Sequence, residues 1–598
     1  MFGQLDLRRH LIEVSHFLAP SALRHLLRSN ELGLLGTAAL VGAISGVAVT
    51  GMGRAAQLLH QSVFGLAKGQ WLSTVGDISW FKLLLGPVSG GLILGLLLLA
   101  GSRALHRRAV DPIEANALYG GRMSLRESLR VAFHNLISNG FGASVGLEAG
   151  YTQLSSGIAS RIGLALKMRR SDLRTLVGCG AAAAIATAFG APLTGAFYAF
   201  ELIIGTYSIA TLAPVVVAAL CGTFASQLLV GSSSILELAD FGKVTNADYF
   251  LAILLGTICS GIGILIMHAV VLVERFAAKI KLPGAIQPVI GGLAVGLLAL
   301  VSPQVLSAGH GAFHLNLATT STALSLLALL VLKSLASILS IGLGFRGGLF
   351  FASLFLGSLA GKLFAIFAPA LLHTATLTPA VYAIIGMSSL AVAIVGGPLT
   401  TTFLALELTG DFTITTLVLA AVIASSVTVR KLFGYSFAIW RFHLRGENIR
   451  GAHDVGWVRD LTVEKLMRHD VKTIGSDASL AAFRREFPLG SAQRVIIVDD
   501  ANRYVGIILV PEAHTAAIEE VDQSAPLQGM LRHQSDFLLP RMNILEATTF
   551  FEQTESEALA VVDGPNTRKV LGLLTESHTL RRYSEELDLR LREVSGRS

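Results

Sequence analysis

Glu148 stands in the run Asn139-Gly140-Phe141-Gly142-Ala143-Ser144-Val145-Gly146-Leu147-Glu148-Ala149-Gly150-Tyr151, a single carboxylate among four glycines inside a long apolar region. An ionised Glu near the middle of a bilayer costs about 2.5–3.5 kcal/mol even on lenient insertion scales, so an acid placed there points to function. Gly140, Gly142, Gly146 and Gly150 predict a backbone that bends or leaves the helix, with amide N–H groups free to face a ligand. Free amides at helix ends attract anions. The other candidate groups read more plainly. Glu201 and Glu407 occupy matching places in a duplicated segment and are expected to cap or pair helices. His310, between glycines, reads as a turn residue, and Asp111 and Glu114 as members of a solvated loop or helix start. The apolar region contains no His/Glu metal pair and no Ser/His arrangement, so neither metal nor catalytic residues are assigned.

The elements that must hold Glu148 are membrane spans. Of the 598 residues 52% are hydrophobic and 15% charged, and the mean hydropathy is +0.63, too apolar for an ordinary soluble chain. Residues 1–30 read as a basic amphipathic helix at a membrane face, with no short apolar core and cleavage site of a signal peptide. Spans are expected at about Leu32–Met52 and Lys82–Gly101. Apolar segments of uneven length, broken by Gly-Gly, Gly-Pro and Ser pairs, then run through about 175–230, 248–274, 285–302, 322–371 and 376–430. Segments interrupted in this way predict discontinuous helices that end inside the protein. Basic clusters such as Arg107-Arg108 and Lys167-Met168-Arg169-Arg170 flank the apolar runs. The net charge of +7 therefore reads as positive-inside topology, with both termini cytoplasmic, and not as nucleic-acid binding. Cys179, Cys221 and Cys259 have neither disulfide nor metal spacing.

Two duplications organise the chain. Gly190-Ala191-Pro192-Leu193-Thr194-Gly195-Ala196-Phe197-Tyr198-Ala199-Phe200-Glu201-Leu202 aligns without gaps to Gly396-Gly397-Pro398-Leu399-Thr400-Thr401-Thr402-Phe403-Leu404-Ala405-Leu406-Glu407-Leu408, eight of thirteen positions being identical. Gly146–Gly150 falls opposite Gly348-Leu349-Phe350-Phe351-Ala352, so halves of about 80–230 and 285–430 carry the same breaks. Duplicated halves with interrupted helices point to a transporter or channel with its site where the halves meet. Beyond a boundary near Gly451 the composition turns polar. There Met467-Arg468-His469 matches Leu531-Arg532-His533, and strand-like segments Val495–Val498 and Tyr504–Val510 recur as Ala558–Val562 and Val570–Leu574 with Val498-Asp499 and Val562-Asp563 in step. This tail resembles a tandem pair of cystathionine-β-synthase-type (CBS) domains, at about 458–515 and 522–582 within 451–598.

Residues 25–445 resemble the CLC family of chloride channels and chloride/proton antiporters. That family's gating-glutamate segment, Gly-Arg-Glu-Gly-Pro, appears here as Gly146-Leu147-Glu148-Ala149-Gly150, without its Arg and Pro. Its Gly-x-Phe-x-Pro segment appears as Gly348-Leu349-Phe350-Phe351-Ala352, and its anion-coordinating tyrosine as Tyr435 of Tyr435-Ser436. The resemblance implies an all-α polytopic membrane domain over 31–450, built of two inverted repeats of broken helices, plus a cytoplasmic α/β tandem CBS pair. It further implies a multi-pass cell-membrane homodimer that passes chloride or another small anion through the lipid bilayer. Glu148 is then the gate, and Gly146, the amides of Leu349 and Phe350 and the Tyr435 hydroxyl are the anion ligands. The Glu148 carboxylate, when ionised, competes with the anion for the same amides; protonated or displaced, it opens the path.

Two departures bear on mechanism. The family's anion-contacting serine should fall near Arg108-Ala109-Val110, which are taken as lining the pathway, and no serine is there. The inner proton-relay glutamate of the antiporters falls at Leu202, which carries no proton; the reading is therefore an anion channel, with a proton-coupled chloride antiporter as the alternative. In the CBS pair only Thr575 matches the nucleotide-contacting pattern, so no adenine nucleotide or other cofactor is expected. A CBS-bearing divalent-cation transporter would need clustered acidic ligands, which the isolated acids at 148, 201 and 407 do not provide.

Overall fold

The computed structural model describes residues 31–102, 109–231, 244–371, 377–434, 436–444, 461–515 and 527–594. The amphipathic segment 1–30, Arg108 and Tyr435 lie outside the described residues. Two compact units divide the chain, Met1–His453 and Asp454–Ser598.

The first unit is helical. Its first half comprises α1 (Glu31–Phe64), α2 (Trp80–Ser102), α3 (Pro112–Leu118), α4 (Leu125–Gly140), α5 (Glu148–Ala165), α6 (Arg170–Phe189), α7 (Pro192–Tyr198, running on through a π-helical turn, Ala199–Ile204) and α8 (Ile209–Val230). The second comprises α9 (Asn246–Lys279), α10 (Gln287–Val301), α11 (His310–Ala318), α12 (Ala323–Gly342), α13 (Phe350–Leu371), α14 (Pro379–Val395), α15 (Pro398–Thr409) and α16 (Phe412–Leu432), and a short α17 (Phe437–Leu444) follows. Among the described residues, eight helices are long and apolar enough to cross a membrane. The repeat is longer than the sequence suggested, because α1 and α9, both of 34 residues, occupy equivalent places in the two halves. The first span was expected to end near Met52, where the apolar run stops. The helix continues past Arg54, whose guanidinium donates to the Leu229 carbonyl (2.6 Å) while the rest of the turn stays packed.

Packing repeats as well. α1 lies against α6 and α8, as α9 lies against α14 and α16, and α5 packs on α6 as α13 packs on α14. Glycines make the approaches close. A Cβ on Gly42 would lie 2.3 Å from the Ala218 carbonyl, and one on Gly256 the same distance from that of Ala421. Where the halves meet, the contacts are reciprocal. Gly91 abuts the Pro288 carbonyl and Gly292 the Pro87 carbonyl, where α2 and α10 cross. Equivalent residues that each touch the other's counterpart require a two-fold axis between the halves. α7 and α15 pair on that axis with the start of each at the end of the other, so the halves are inverted, which the sequence identity by itself left open.

The second unit is α/β and also duplicated. Strand Thr473–Gly475 runs parallel to Arg494–Val498, which pairs antiparallel with Tyr504–Leu509, and Ala558–Val562 pairs antiparallel with Val570–Thr575. The segments leading into the two halves are exchanged: Arg468 bridges Leu573 and Arg532 bridges Ile507. The two Val-Asp pairs do the same work. Asp499 accepts from the Arg503 and Ala501 amides (2.8 and 3.0 Å), and Asp563 from the Thr567 hydroxyl and Lys569 amide (2.6 and 2.9 Å). These bonds hold both carboxyls below the usual range, chiefly through the Arg503 amide for Asp499 and the Thr567 hydroxyl for Asp563. A carboxyl with a lowered value stabilises the fold above its unfolded pKa and loses that contribution as pH falls through the folded one.

Candidate functional site

Glu148 opens α5 and Phe350 opens α13, and the two helix starts meet. The Gly146 amide donates to the Gly348 carbonyl (2.9 Å) and the Gly348 amide to the Gly146 carbonyl (3.2 Å), an isolated antiparallel bridge across the axis. The first turn of each helix carries amides with no helical carbonyl before them and a partial positive charge. Two such ends therefore face one region.

α4 fixes both approaches. Asn135 donates to the carbonyls of Gly146 (2.9 Å) and Arg346 (3.0 Å) and accepts from the Gly150 amide (2.8 Å). One turn on, Ser138 accepts from the Arg346 amide (3.0 Å) and Asn139 donates to the Val145 carbonyl (2.7 Å) and the Ser307 hydroxyl (3.0 Å). All three residues are buried, and at spacing i, i+3, i+4 they share one face. Sequence reasoning missed them, although a stripe of three small polar residues on a membrane helix was there to be read. Gly142, at φ +89°, turns the chain out of α4 in the left-handed region.

The Glu148 side chain is 4% exposed. Its carboxylate faces its own amide and that of Phe351, and Oε2 has no hydrogen-bond partner. It folds back over Gly146, where a Cβ would lie 1.9 Å from Oε2. Phe351, whose amide the sequence did not single out, stacks on His310 with ring centroids 3.5 Å apart. His310 is thus the first residue of α11 and part of an aromatic stack, not a turn residue.

Two cavities reach the site. The larger, about 980 Å³, is lined by Ala109, Asp111, Tyr198, Leu202, Leu349 and Phe350 among others, and the smaller, about 400 Å³, by His60, Asn139, Tyr151 and His310 among others. Glu148 is the one described residue that lines both. Of the positions expected along the path, Ala109, Leu349 and Phe350 border the larger cavity. Val110 is half-buried and its carbonyl accepts from Gln153 (2.9 Å), while Gly146 supplies the bridge. Asp111 begins a helix, its carboxylate accepting from the Ile113 amide (2.8 Å). Glu114 corrects the expectation of a solvated residue, being 3% exposed inside α3. In the second unit, the Thr575 hydroxyl accepts from the His578 amide (3.4 Å) at the start of the last helix. Among the described residues no His, Cys, Asp and Glu group is placed to hold a metal ion.

Glu201 and Glu407 are reciprocal caps. Glu201 accepts from the Leu399 and Thr400 amides (2.8 and 2.9 Å) and the Thr400 hydroxyl (2.6 Å), and Glu407 accepts from the Leu193 and Thr194 amides (2.7 and 2.8 Å) and the Thr194 hydroxyl (2.6 Å). Each carboxylate closes the start of the equivalent helix in the other half. Glu201→Ala or Glu407→Ala is expected to cost about 1.5–3 kcal/mol, the range for hydrogen bonds to a charged group, by nearly equal amounts. Denaturant unfolding in micelles measures it; a loss confined to one of the two variants would contradict the reciprocity.

Comparison with known proteins agrees with this architecture. A sequence model described as voltage gated chloride channel matches residues 90–430. The chain is 30% identical to a putative chloride channel protein ClcB-like of Ralstonia nicotianae, over 66% of this chain and 93% of that protein. It is 28% identical to the voltage-gated ClC-type chloride channel ClcB of Escherichia coli, over 68% and 97%. In fold it is similar to a slow cyanobacterial Cl-/H+ antiporter (TM-score 0.59, 23% identity, 69% of this chain and 97% of that one). A eukaryotic CLC transporter is similar over 93% of this chain and 98% of its own (TM-score 0.59, 16% identity). With inverted halves, helix starts meeting at Glu148 and a family match over more than half its length, this chain belongs to the CLC family of voltage gated chloride channels and transporters.

Proposed function

We propose that the protein is a chloride channel in which anions pass between the two cavities at Glu148. The observation that carries this reading is that Glu148 alone among the described residues lines both, with its carboxylate over the amides that an anion would use. An anion in a bilayer needs fixed positive potential without a full counter-charge, since a tightly held ion would not leave. Paired helix starts supply it. The Tyr435 hydroxyl is taken as a further ligand, and Leu349 and Phe350 as amide donors.

The larger cavity borders the segment after the basic cluster Arg107-Arg108, which assigns it to the cytoplasmic side. The second unit, with its exchanged leading segments, is assigned as a cytoplasmic CBS pair with a regulatory or dimerising role and no nucleotide. The proposed assembly is a homodimer with one path per subunit.

A second reading is proton-coupled antiport, favoured by the fold likeness to a Cl-/H+ antiporter and a fluoride/proton antiporter. Reversal potentials in reconstituted liposomes under chloride and proton gradients separate the two. A channel reverses at the chloride potential whatever the proton gradient; uphill proton movement driven by chloride would replace the channel with the antiporter.

A further inference from the structure

The two cavities differ in charge. The larger carries acids and bases together: Glu127 pairs with Arg130 (3.5 Å) and Glu274 with Arg441 (3.3 Å), while Asp111 and Arg346 add one of each sign. The smaller is lined, among the described residues, by one carboxylate, Glu148, and one guanidinium, Arg54. The rest of its polar wall consists of amides, hydroxyls and two histidines, His60 bonded at the Asn139 carbonyl (2.9 Å) and His310 stacked on Phe351.

Arg54 sits where an entering ion arrives. It lies about 35 Å along α1 from Glu31, at 1.5 Å per residue, beyond the ~30 Å of a hydrocarbon core, so the helix that begins at one face delivers it to the other. The side chain is exposed. Its Nη2 donates to the Leu229 carbonyl (2.6 Å) in the last turn of α8, where carbonyls lack a helical donor. A guanidinium carries five N–H donors, and among the described residues neither a carboxylate nor a second acceptor engages this one. The cap explains how the side chain is held and leaves its charge uncompensated. Beside it α1 meets the helix that carries Glu148: a Cβ on Gly53 would lie 3.2 Å from the hydroxyl of Tyr151, one turn after Glu148 on α5, and both residues line the same cavity.

We propose that Arg54 is the capture site for small monovalent anions entering through the smaller cavity, holding them by its charge and its remaining N–H groups before they reach Glu148. This rests on the reading of Glu148 as the gate between the cavities. One unit charge at contact distance in water raises the local anion concentration about fivefold. Because the guanidinium is exposed, the ion is attracted without being trapped, as permeation requires. The larger cavity has no equivalent, since its cations stand beside acids.

The test uses the full-length protein in vesicles of uniform orientation at low ionic strength, with chloride varied on one side at a time and flux recorded. Arg54→Gln is expected to raise the half-saturating chloride concentration about fivefold on the side of the smaller cavity. Arg54→Glu should raise it further, and Arg54→Lys, which keeps the charge, should raise it least. Half-saturation from the other side, and flux at saturating chloride, should change far less. The wild-type protein supplies a measurement that needs no variant to fold: an impermeant salt, which screens exposed charge, should raise half-saturation on the side of the smaller cavity and remove the spread among the variants. Half-saturation that ignores both the charge at position 54 and the salt would overturn the capture site. So would a loss of flux equal at all chloride concentrations and from both sides, which is what a helix cap alone would give. Glu148→Gln separates the two readings. If it leaves flux unchanged, the gate reading fails; if it raises flux while the Arg54 series is flat, the capture site alone fails.

Discussion

Glu148→Gln is expected to raise anion flux at neutral pH about tenfold and to make it independent of pH. The magnitude follows from what the substitution removes. An ionised carboxylate facing the Glu148 and Phe351 amides attracts them more strongly than a neutral acceptor does, the ranges for hydrogen bonds to charged and neutral groups being about 1.5–3 and about 0.5–1.5 kcal/mol. The difference, roughly 1–1.5 kcal/mol, is near a tenfold change in the balance between side chain and permeant anion at the same donors. The direction follows from charge: glutamine fills the space but neither repels an anion nor titrates. Chloride efflux from liposomes between pH 5 and 8 checks it. Flux that remained low and pH-dependent in the glutamine variant would remove Glu148 from the path.

Gly146→Ala should reach a similar end without touching the acid. Gly146 is outside the left-handed region, so its backbone, and with it the bridge to Gly348, accepts alanine. The new Cβ would lie 1.9 Å from Oε2 of Glu148, closer than two such atoms can come. What yields is the far end of a flexible side chain. The carboxylate is displaced from its place over Gly146, and flux at neutral pH is expected to rise by up to about tenfold, the difference between a charged and a neutral acceptor setting the limit. Because one interaction is lost in either variant, the double substitution with Glu148→Gln should add little to Glu148→Gln alone, as for residues sharing a contact. Independent, multiplying increases would mean that Gly146 acts through something other than the carboxylate.

The parts of this molecule that were legible in its sequence are those where a residue type has few alternatives. Glu148 could be read because acids are rare in lipid, and the glycines around it because little else permits the breaks. The reciprocal caps were legible as a duplication of Pro-Leu-Thr and Glu, though not which half each carboxylate serves. The equivalence of α1 and α9 was not legible, since lipid-facing positions accept almost any apolar residue and keep no pattern. A trace survived at the next pair of helices, where Pro87-Val88-Ser89-Gly90-Gly91 recurs as Pro288-Val289-Ile290-Gly291-Gly292 because two backbones touch there. The Phe351 amide and the two cavities were beyond reach, since a backbone donor and an empty volume are properties of packing and leave no residue to find. Glu114 stands at a helix start, as expected, but was misread as solvated, because an acid in a first turn looks exposed until its helix is buried.

The bridge between Gly146 and Gly348 limits how this protein moves. It stitches the centre of one half to the centre of the other by two hydrogen bonds, and the caps at Glu201 and Glu407 add a second seam nearby. A mechanism that swung one half past the other would tear both seams at every cycle, whereas the rotation of a single side chain tears neither. With Glu148 as the proposed gate, turnover is a matter of torsion angles, and stiffening or thickening the surrounding lipid, which slows proteins that must displace it, should leave the rate nearly untouched.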